Sequence, residues 1–327
     1  MSIIKFIMAA RCEAAGRPNN EDNFQLTDNL ANDQWSFVTD SEVDLGEKGA
    51  LLIVCDGMGG ANAGEVASKS AVETVKEWFS SERLTEKIVA DSENIVQYIK
   101  QAIVAADLKI KEEGNTDKEK EGMGTTIVLA WVIGQSVFVG WCGDSRAYCF
   151  NPSAGLIRLS HDHSFVQSLV DMGQLSEELA FNHPNGNIIT QSLGDTLQEA
   201  QPEVREYPLR NGDVIMLCSD GLNGVLRDRV IEEVMRDNAE NMAACRDALW
   251  ETARKTGWDD NVTIGLCRIV SGSKQKVDST TQFESPKPQK TAKKIAKKRI
   301  WSLITTFIVG LVVGIFAGIV IAKYINF

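Results

Sequence analysis

Four short acidic segments contain the residues in this sequence that are best suited to chemistry. They are Asn20-Glu21-Asp22, Asp56-Gly57-Met58-Gly59-Gly60, Ser219-Asp220-Gly221 and Asp259-Asp260-Asn261. Each adjoins an apolar run typical of a buried strand, so we expect the carboxylates at strand ends. Glycine lets the backbone approach a ligand, and hard cations prefer carboxylate oxygens. One Asp-Gly pair alone is usually only a turn, but the four segments together predict a cation site. An all-oxygen ligand set favours Mg²⁺ or Mn²⁺ over Zn²⁺.

The apolar runs beside these segments indicate the elements that must position them. They read ALLIVC before Asp56, TTIVLAWVI and SVFVGWC joined at Gly134-Gln135, then AYCF, VIMLC and VTIGLCRIV. Two further segments, 63–78 and 95–110, repeat apolar residues at helical spacing. The helices come as a pair rather than alternating with strands. We therefore expect antiparallel sheets with helices packed outside, not a doubly wound parallel sheet.

Charge is distributed unevenly along the 327 residues. The net charge is -11, but residues 271–299 hold nine Lys and Arg against two acidic residues, and Lys323 is the only charge after residue 300. Residues 1–270 therefore carry a net charge of -19. Phosphate backbones require cationic surfaces, so no nucleic-acid partner is expected for this acidic part of the chain.

Cysteine usage and the first residues indicate a reducing compartment. The seven cysteines are an odd number without a C-x-x-C pair, which matches neither a disulfide framework nor a zinc site. The opening MSIIKFIMAARCE has an apolar stretch too short for the core of a signal peptide. We therefore expect residues 1–270 in the cytoplasm.

The last part of the sequence predicts a membrane anchor. Residues 300–322 contain no charge and, as a helix, cover about 35 Å against a hydrocarbon core of about 30 Å. The basic residues 293–299 lie just before them. This places residues 1–270 on the cytoplasmic side of the inner (plasma) membrane and leaves 323–327 as a short tail on the other side. Residues 271–299 are expected to form a flexible basic linker that also contacts anionic lipid. Gly310, Gly314 and Gly318 share one helix face and could form a homodimer seam, although glycine is common in membrane helices.

The acidic segments and several others resemble, in their order, the metal-dependent protein phosphatases of type 2C. The matching motifs are R-x-x-N-E-D at 17–22, D-G-M-G-G and A-G-E-V-A-S from residue 56, M-G-T-T at 123–126, G-D-S-R at 143–146, D-H-S at 162–164, H-P to S-L-G at 183–194, S-D-G-L at 219–222 and D-N-V-T at 260–263. The Met after Asp56-Gly57 is similar to the bacterial branch. The resemblance implies an α+β fold over residues 1–270, a four-layer αββα sandwich of two antiparallel β-sheets flanked by helices.

The resemblance also implies roles for individual residues. Two Mn²⁺ or Mg²⁺ ions would be bridged by Asp56 and held by the Gly57 carbonyl, Asp220 and Asp260. Glu21 and Asp22 would hold metal-bound waters. Asp144 together with Asp220 would bind a third ion, and Arg17 would bind the substrate phosphate. Asp259 is expected to be a solvated neighbour. Residues 171–194, including Gly173, His183 and Asn187, correspond to a flap over the site.

Physical chemistry supports this kind of site for hydrolysis of phosphoserine and phosphothreonine in proteins. Two divalent ions can activate a bridging water and neutralise the transferring phosphoryl group, so no protein nucleophile is needed. No cysteine has Arg at the C-x₅-R spacing, and three histidines are too few for an imidazole-based dinuclear site. No G-x-x-x-x-G-K-[ST] loop is present either, which argues against an NTPase. Met58 cannot donate a proton to the leaving group; His161, His163 or a metal-bound water could.

Three functions remain open from the sequence. The leading one is an active phosphatase that acts on phosphorylated proteins and opposes a cognate Ser/Thr kinase at the membrane. The second is a membrane-anchored pseudophosphatase that binds phosphoproteins as a scaffold, which the full set of carboxylates disfavours. The third is a cation-dependent sensor, which would not need Arg17.

Overall fold

Two antiparallel sheets form the centre of the structure, a computed structural model that describes residues 3–59, 63–257 and 259–275. The first sheet has the strand order β3-β1-β12-β11-β8-β9, and the second has the order β10-β7-β6-β4-β2, with β5 paired to the end of β4. The strands are β1 (Lys5–Glu13), β2 (Asp22–Thr27), β3 (Val43–Asp44), β4 (Ala50–Met58), β5 (Gly124–Thr125), β6 (Ile127–Ile133), β7 (Ser136–Cys142), β8 (Arg146–Asn151), β9 (Gly155–Arg158), β10 (Glu203–Pro208), β11 (Val214–Cys218) and β12 (Val262–Ser271).

The helices lie on the outer faces of the two sheets. α1 and α3 pack on the second sheet, and α7 and α8 pack on the first. A 3₁₀ turn at 118–120 follows α3. The helices are α1 (Ala63–Trp78), α2 (Glu86–Val89), α3 (Ser92–Thr116), α4 (Phe165–Asp171), α5 (Glu177–Ala180), α6 (Asp220–Asn223), α7 (Asp228–Asn238) and α8 (Met242–Thr256).

Three apolar layers hold these elements together. Between the sheets, Phe6 and Leu217 of the first sheet meet Leu52 and Val128 of the second, all with 1% or less of their surface exposed. The other two layers lie between each sheet and its helices. Fully burying one such side chain contributes about 1.5–3 kcal/mol. Helix, sheet, sheet and helix therefore form the four layers that the resemblance implied, and the antiparallel pairing is confirmed.

The clearest sequence patterns correspond to elements of the structure. The run before Asp56 is β4, and the two helical patterns are α1 and α3. The predicted hairpin at Gly134-Gln135 is present: Ile133 is the register partner of Ser136, and Gly134 has a φ of 59°. Such positive φ values suit glycine at two-residue hairpin turns.

The first strand was not expected from the sequence. β1 alternates between two apolar layers, because Phe6 and Met8 face the other sheet while Ile7 and Ala9 face the helices. β1 pairs with β12 along its length. The apolar start of the chain is therefore a central strand of the first sheet.

The folded contacts continue past residue 270. β12 ends at Ser271, and beyond it the Lys274 N–H donates to Gln135 Oε1 at 2.9 Å. Among residues 3–59, 63–257 and 259–275, no helix has the length and apolar character that a membrane span needs. The predicted span at 300–322, the tail at 323–327 and linker residues 276–299 lie outside the described residues.

Candidate active site

The predicted acidic residues meet at one end of the two sheets. Asp22 begins β2 and is the register partner of Asp56, near the end of β4. Asp220 is the first residue of α6, two positions after the end of β11, and Asp260 lies two positions before β12. Because antiparallel neighbours bring the start of one strand beside the end of the next, residues more than 200 positions apart become neighbours.

Asp56 is the centre of this acidic cluster. Burial raises its pKa well above the usual range, and the neighbouring Asp220, Asp22 and Asp144 raise the pKa further. Burial and the charge of the neighbouring Asp260 raise the pKa of Asp220 too. Carboxylates that repel one another in this way are costly to ionise unless a cation neutralises them.

Two carboxylate oxygens of the cluster are buried and have no hydrogen-bond partner among the described residues, Oδ1 of Asp22 and Oδ1 of Asp144. The other oxygen of Asp22 accepts hydrogen bonds from Ser219 Oγ and Thr263 Oγ1, both at 2.7 Å. Burial raises the pKa of Asp22 to about 7, although these two hydrogen bonds oppose the shift. Buried acceptors without partners usually mark an unseen ion or water.

Hydrogen bonds from two threonines fix the backbone of Asp56. The Thr126 N–H and the Thr125 hydroxyl both donate to the Asp56 carbonyl at 2.8 Å, and the Asp56 N–H donates to Thr126 Oγ1 at 3.1 Å. Thr126 Oγ1 also lies 2.7 Å from Ser145 Oγ, next to Asp144. The M-G-T-T and G-D-S-R motifs therefore frame the cluster through hydroxyl groups.

Gly57 lies where no side chain fits. A Cβ atom there would be 2.1 Å from the Gly64 carbonyl oxygen at the start of α1 and 2.6 Å from the Glu21 carbonyl oxygen. The Gly57 N–H donates to that Glu21 oxygen at 3.1 Å. Glu21 is half-buried beside Gly64, and burial raises the pKa of its carboxyl. Close packing of three segments thus places the Gly57 backbone at the cluster.

Arg17 lies at the rim of the cluster, half exposed, and is held by the segment before β12. Its Nη2 is 2.8 Å from Asp260 Oδ2, and its Nε donates to the Asp259 carbonyl at 2.8 Å. The side chain of Asp259 is exposed to solvent. Arg17 is thus a half-exposed cationic group beside a strongly acidic centre, and its planar fork suits a phosphate.

Asn261 was not expected to be part of the site. Its Oδ1 accepts from the Glu21 N–H at 2.8 Å, and its Nδ2 donates to the carbonyls of Ala14 and Asn19, both at 2.9 Å. It therefore holds the loop that contains Arg17 against the start of β12. The D-D-N sequence before an apolar run was the signal for it.

The donor set fits a hydrated divalent cation. In the part of the chain that the structure describes, no three His, Cys, Asp or Glu side chains form a ready-made metal cage. Mg²⁺ usually keeps several waters and binds proteins through one or two carboxylates, so a full cage is not required. Repelling carboxylates, two partnerless oxygens and the Gly57 backbone beside them are donors of the kind that such an ion needs.

The segment 164–189, which contains most of the predicted flap, lies beside the cluster. It contains α4 and α5, and its two ends meet where Ser164 bridges Ile189. Asn187 lines a cavity of about 610 Å³ together with Asp144 and Asp220. Gly173 and His183 do not line this cavity: Gly173 follows α4 with a φ of 70°, and the His183 ring lies 6.4 Å from that of Phe165.

The two histidines near the cluster are engaged by other groups. His161 Nε2 lies 2.9 Å from Asp171 Oδ2 on α4. His163 Nδ1 accepts from the Gly143 N–H at 3.2 Å, and its Nε2 lies 3.5 Å from Glu203 Oε1. Met58 ends β4 and pairs with Gly124. These contacts favour a water over His163 as the proton donor to the leaving group.

Comparison with known proteins identifies the family. The profile described as protein phosphatase 2C matches residues 27–263. The serine/threonine phosphatase stp of Listeria innocua is 32% identical over 223 residues, which are 67% of this chain and 84% of that protein. The chain belongs to the protein phosphatase 2C family. It is a protein serine/threonine phosphatase.

Solved structures show the same fold. Serine/threonine phosphatase Stp1 from Staphylococcus aureus superimposes with a TM-score of 0.69 at 31% identity, covering 81% of this chain and 95% of that one. The catalytic domain of the phosphatase PstP, solved in complex with two manganese ions, superimposes with a TM-score of 0.65 at 28% identity, covering 82% and 100%.

Proposed function

We propose that this phosphatase hydrolyses phosphoserine and phosphothreonine in proteins with two divalent cations, Mn²⁺ or Mg²⁺, at the Asp56 cluster. The observation that carries the proposal is the convergence of Asp22, Asp144 and Asp220 on Asp56 at one end of the sheets, where Asp22 and Asp144 each keep a buried oxygen without a hydrogen-bond partner among the described residues. The similarity to PstP, which was solved with two manganese ions, supports the same metal content here.

Each residue of the cluster has a distinct part in this proposal. Asp56, the Gly57 carbonyl, Asp220 and Asp260 hold the two ions, which when bound supply a water nucleophile and neutralise phosphoryl charge. Further groups complete the site: Glu21 and Asp22 accept hydrogen bonds from waters around the ions, and Asp144 with Asp220 offers a place for a third.

Arg17 orients the substrate phosphate. Its guanidinium lies beside Asp260 and half of its side chain is exposed, so it can reach a phosphate without first being uncovered. A planar guanidinium donates two parallel hydrogen bonds to phosphate oxygens, which holds the phosphoryl group in one orientation. This role separates a phosphatase from a cation sensor.

The place of action is proposed from the sequence. Residues 300–322 form a single membrane span, and the basic residues before it keep the catalytic domain in the cytoplasm and contact anionic lipid. The partners are then phosphorylated proteins near the inner (plasma) membrane, including a cognate Ser/Thr kinase and its substrates. Two copies would associate through the helix face that carries Gly310, Gly314 and Gly318.

The test is phosphate release from phosphoserine and phosphothreonine peptides by the full chain in detergent. We expect hydrolysis with Mn²⁺, its loss with EDTA, and a loss of at least about 100-fold in Asp56→Asn. Asp259→Asn is the matched control, because its side chain is exposed beside Asp260. Equal turnover in EDTA, or full activity in Asp56→Asn, would contradict the two-metal proposal. Peptide binding without hydrolysis would favour the scaffold.

A further inference from the structure

His163 binds both backbone groups of the glycine that precedes Asp144. The Gly143 N–H donates to His163 Nδ1 at 3.2 Å, and the Gly143 carbonyl accepts from the His163 N–H at 2.9 Å. Gly143 has a φ of 124°, and a Cβ there would lie 2.6 Å from Thr126 Cβ. With both backbone groups held by one residue, the direction in which the chain enters Asp144 is set by His163.

The ring of His163 has a fixed orientation. Because Nδ1 accepts a hydrogen bond, the ring proton is on Nε2, which faces Glu203 Oε1 on β10 at 3.5 Å. Only 12% of the side chain is exposed, and the ring lies 6.5 Å from that of Trp141 in a stacked arrangement. Both ring nitrogens therefore have partners, as in a metal ligand's supporting residue rather than a proton donor.

The backbone of His163 also closes the base of the flap. Its carbonyl accepts from the Thr190 N–H at 2.7 Å. The next pair, Ser164 and Ile189, forms a bridge, and the Phe165 N–H donates to the Ile188 carbonyl at 2.8 Å. The two ends of the flap are thus joined at His163, the residue that hydrogen-bonds both backbone groups of Gly143.

We propose that His163 is a positioning residue that couples the flap base to the Asp144 turn. A displacement of the flap at its base then displaces Asp144, so that flap position and the geometry of the acidic cluster change together. The inference rests on the proposed function, because Asp144 matters only if the cluster serves the phosphatase reaction. It assigns His163 no contact with the substrate.

Two conservative variants separate the two ring nitrogens. Asparagine at 163 places Oδ1 near the position of Nδ1 and can still accept from the Gly143 N–H. Glutamine reaches the position of Nε2 and leaves that N–H without its partner. We expect His163→Gln to lose about 10- to 100-fold in kcat/KM, the usual effect of losing a group that supports a metal ligand, and His163→Asn to restore most of it.

The readout independent of turnover is hydrogen exchange of the metal-free full chain. We expect the amides of Gly143 and Thr190 to exchange at least about tenfold faster in His163→Gln than in His163→Asn. Amides in the middle of β6, such as Leu129, serve as the reference, because global destabilisation would accelerate them as well. Unchanged exchange at Gly143 in His163→Gln would overturn the coupling.

The leaving group distinguishes positioning from proton donation. p-Nitrophenolate departs without protonation, whereas a serine alkoxide does not. A positioning residue predicts that His163→Gln slows both substrates to a similar degree. Loss of peptide hydrolysis with p-nitrophenyl phosphate hydrolysis retained, in both variants, would show a proton donor and overturn the inference. Absence of all hydrolysis by the wild type would instead refute the proposed function, and the exchange comparison would still decide the coupling.

Discussion

At the scale of single residues, the carboxylates of the cluster depend on hydroxyl groups that orient them, as Ser219 and Thr263 do for Asp22. Asp56 and Asp220 were found because each adjoins a strand-like run and a glycine. Ser219 and Thr263 both bind Asp22, from 197 and 241 positions away along the chain. A hydrogen bond across such a distance leaves no local pattern, so only the folded structure shows it.

The Asp22 carboxylate gives the first prediction. Thr263→Val keeps the shape of the side chain but removes one of the two hydrogen bonds to Asp22 Oδ2. We expect kcat/KM on a phosphopeptide to fall about tenfold, with a higher Mn²⁺ requirement, because a group that orients the metal site is lost. Steady-state rates over a range of Mn²⁺ concentrations measure both kcat/KM and the Mn²⁺ requirement.

Thr256→Val, at an exposed position of α8, is the control and should behave as wild type. Equal behaviour of the two variants would refute the role of Thr263.

At the scale of elements, regular apolar patterns predicted helices and strands, whereas short or half-buried strands had no pattern that could predict them. The hairpin at Gly134 and helices α1 and α3 follow from apolar periodicity, which survives in the fold because one face of each element is buried. β3 and β5 have two residues each, and β9 has no fully buried residue, so no apolar pattern marks them. β1 was missed because its apolar residues were interpreted only as a candidate leader.

The contact between β4 and α1 gives the second prediction. Gly57→Ala would place a Cβ 2.1 Å from the Gly64 carbonyl, which must move the helix start or the strand end. We expect a loss of about 1–3 kcal/mol in the free energy of unfolding and a loss of activity. Urea unfolding measures the change in the free energy of unfolding. Gly114→Ala, inside α3 with its nearest neighbour at 3.3 Å, should instead be neutral or stabilising by up to about 1 kcal/mol. Unchanged stability in Gly57→Ala would contradict the packing.

Asp213, the residue before β11, gives a prediction for pH. Its carboxylate accepts from Asn151 Nδ2 and the Arg210 N–H, both at 2.7 Å, yet burial raises its pKa from 3.8 to about 6. The folded state therefore binds the proton more tightly than the unfolded state. This stabilisation is fully present below about pH 4 and is lost as the pH rises through about 6.

The comparison with Asp213→Asn isolates that effect. Between pH 4 and pH 7, the free energy of unfolding of the wild type should fall by about 2 kcal/mol more than that of Asp213→Asn, because one pKa unit corresponds to about 1.4 kcal/mol and part of the effect is already lost at pH 4. Urea unfolding at several pH values measures the difference. Parallel pH profiles for the two proteins would show that Asp213 does not titrate as described.

At the scale of the whole molecule, the order of motifs was more informative than any single motif. The four layers bring the ends of β1, β4, β7 and β11 and the starts of β2 and β12 to one side, so every acidic segment reaches the same centre. Composition alone could not show this, because it does not contain strand order. The membrane span remains a prediction of the sequence.

The most direct test of the central claim is the number of Mn²⁺ ions that the full chain binds, measured by equilibrium dialysis. We predict about two ions per chain for the wild type and for Asp259→Asn, and fewer for Asp56→Asn. Asp56→Asn should remain folded without metal, because it removes a carboxyl whose ionisation its acidic neighbours oppose. Undiminished Mn²⁺ binding by folded Asp56→Asn would contradict the assignment of this cluster as the metal centre.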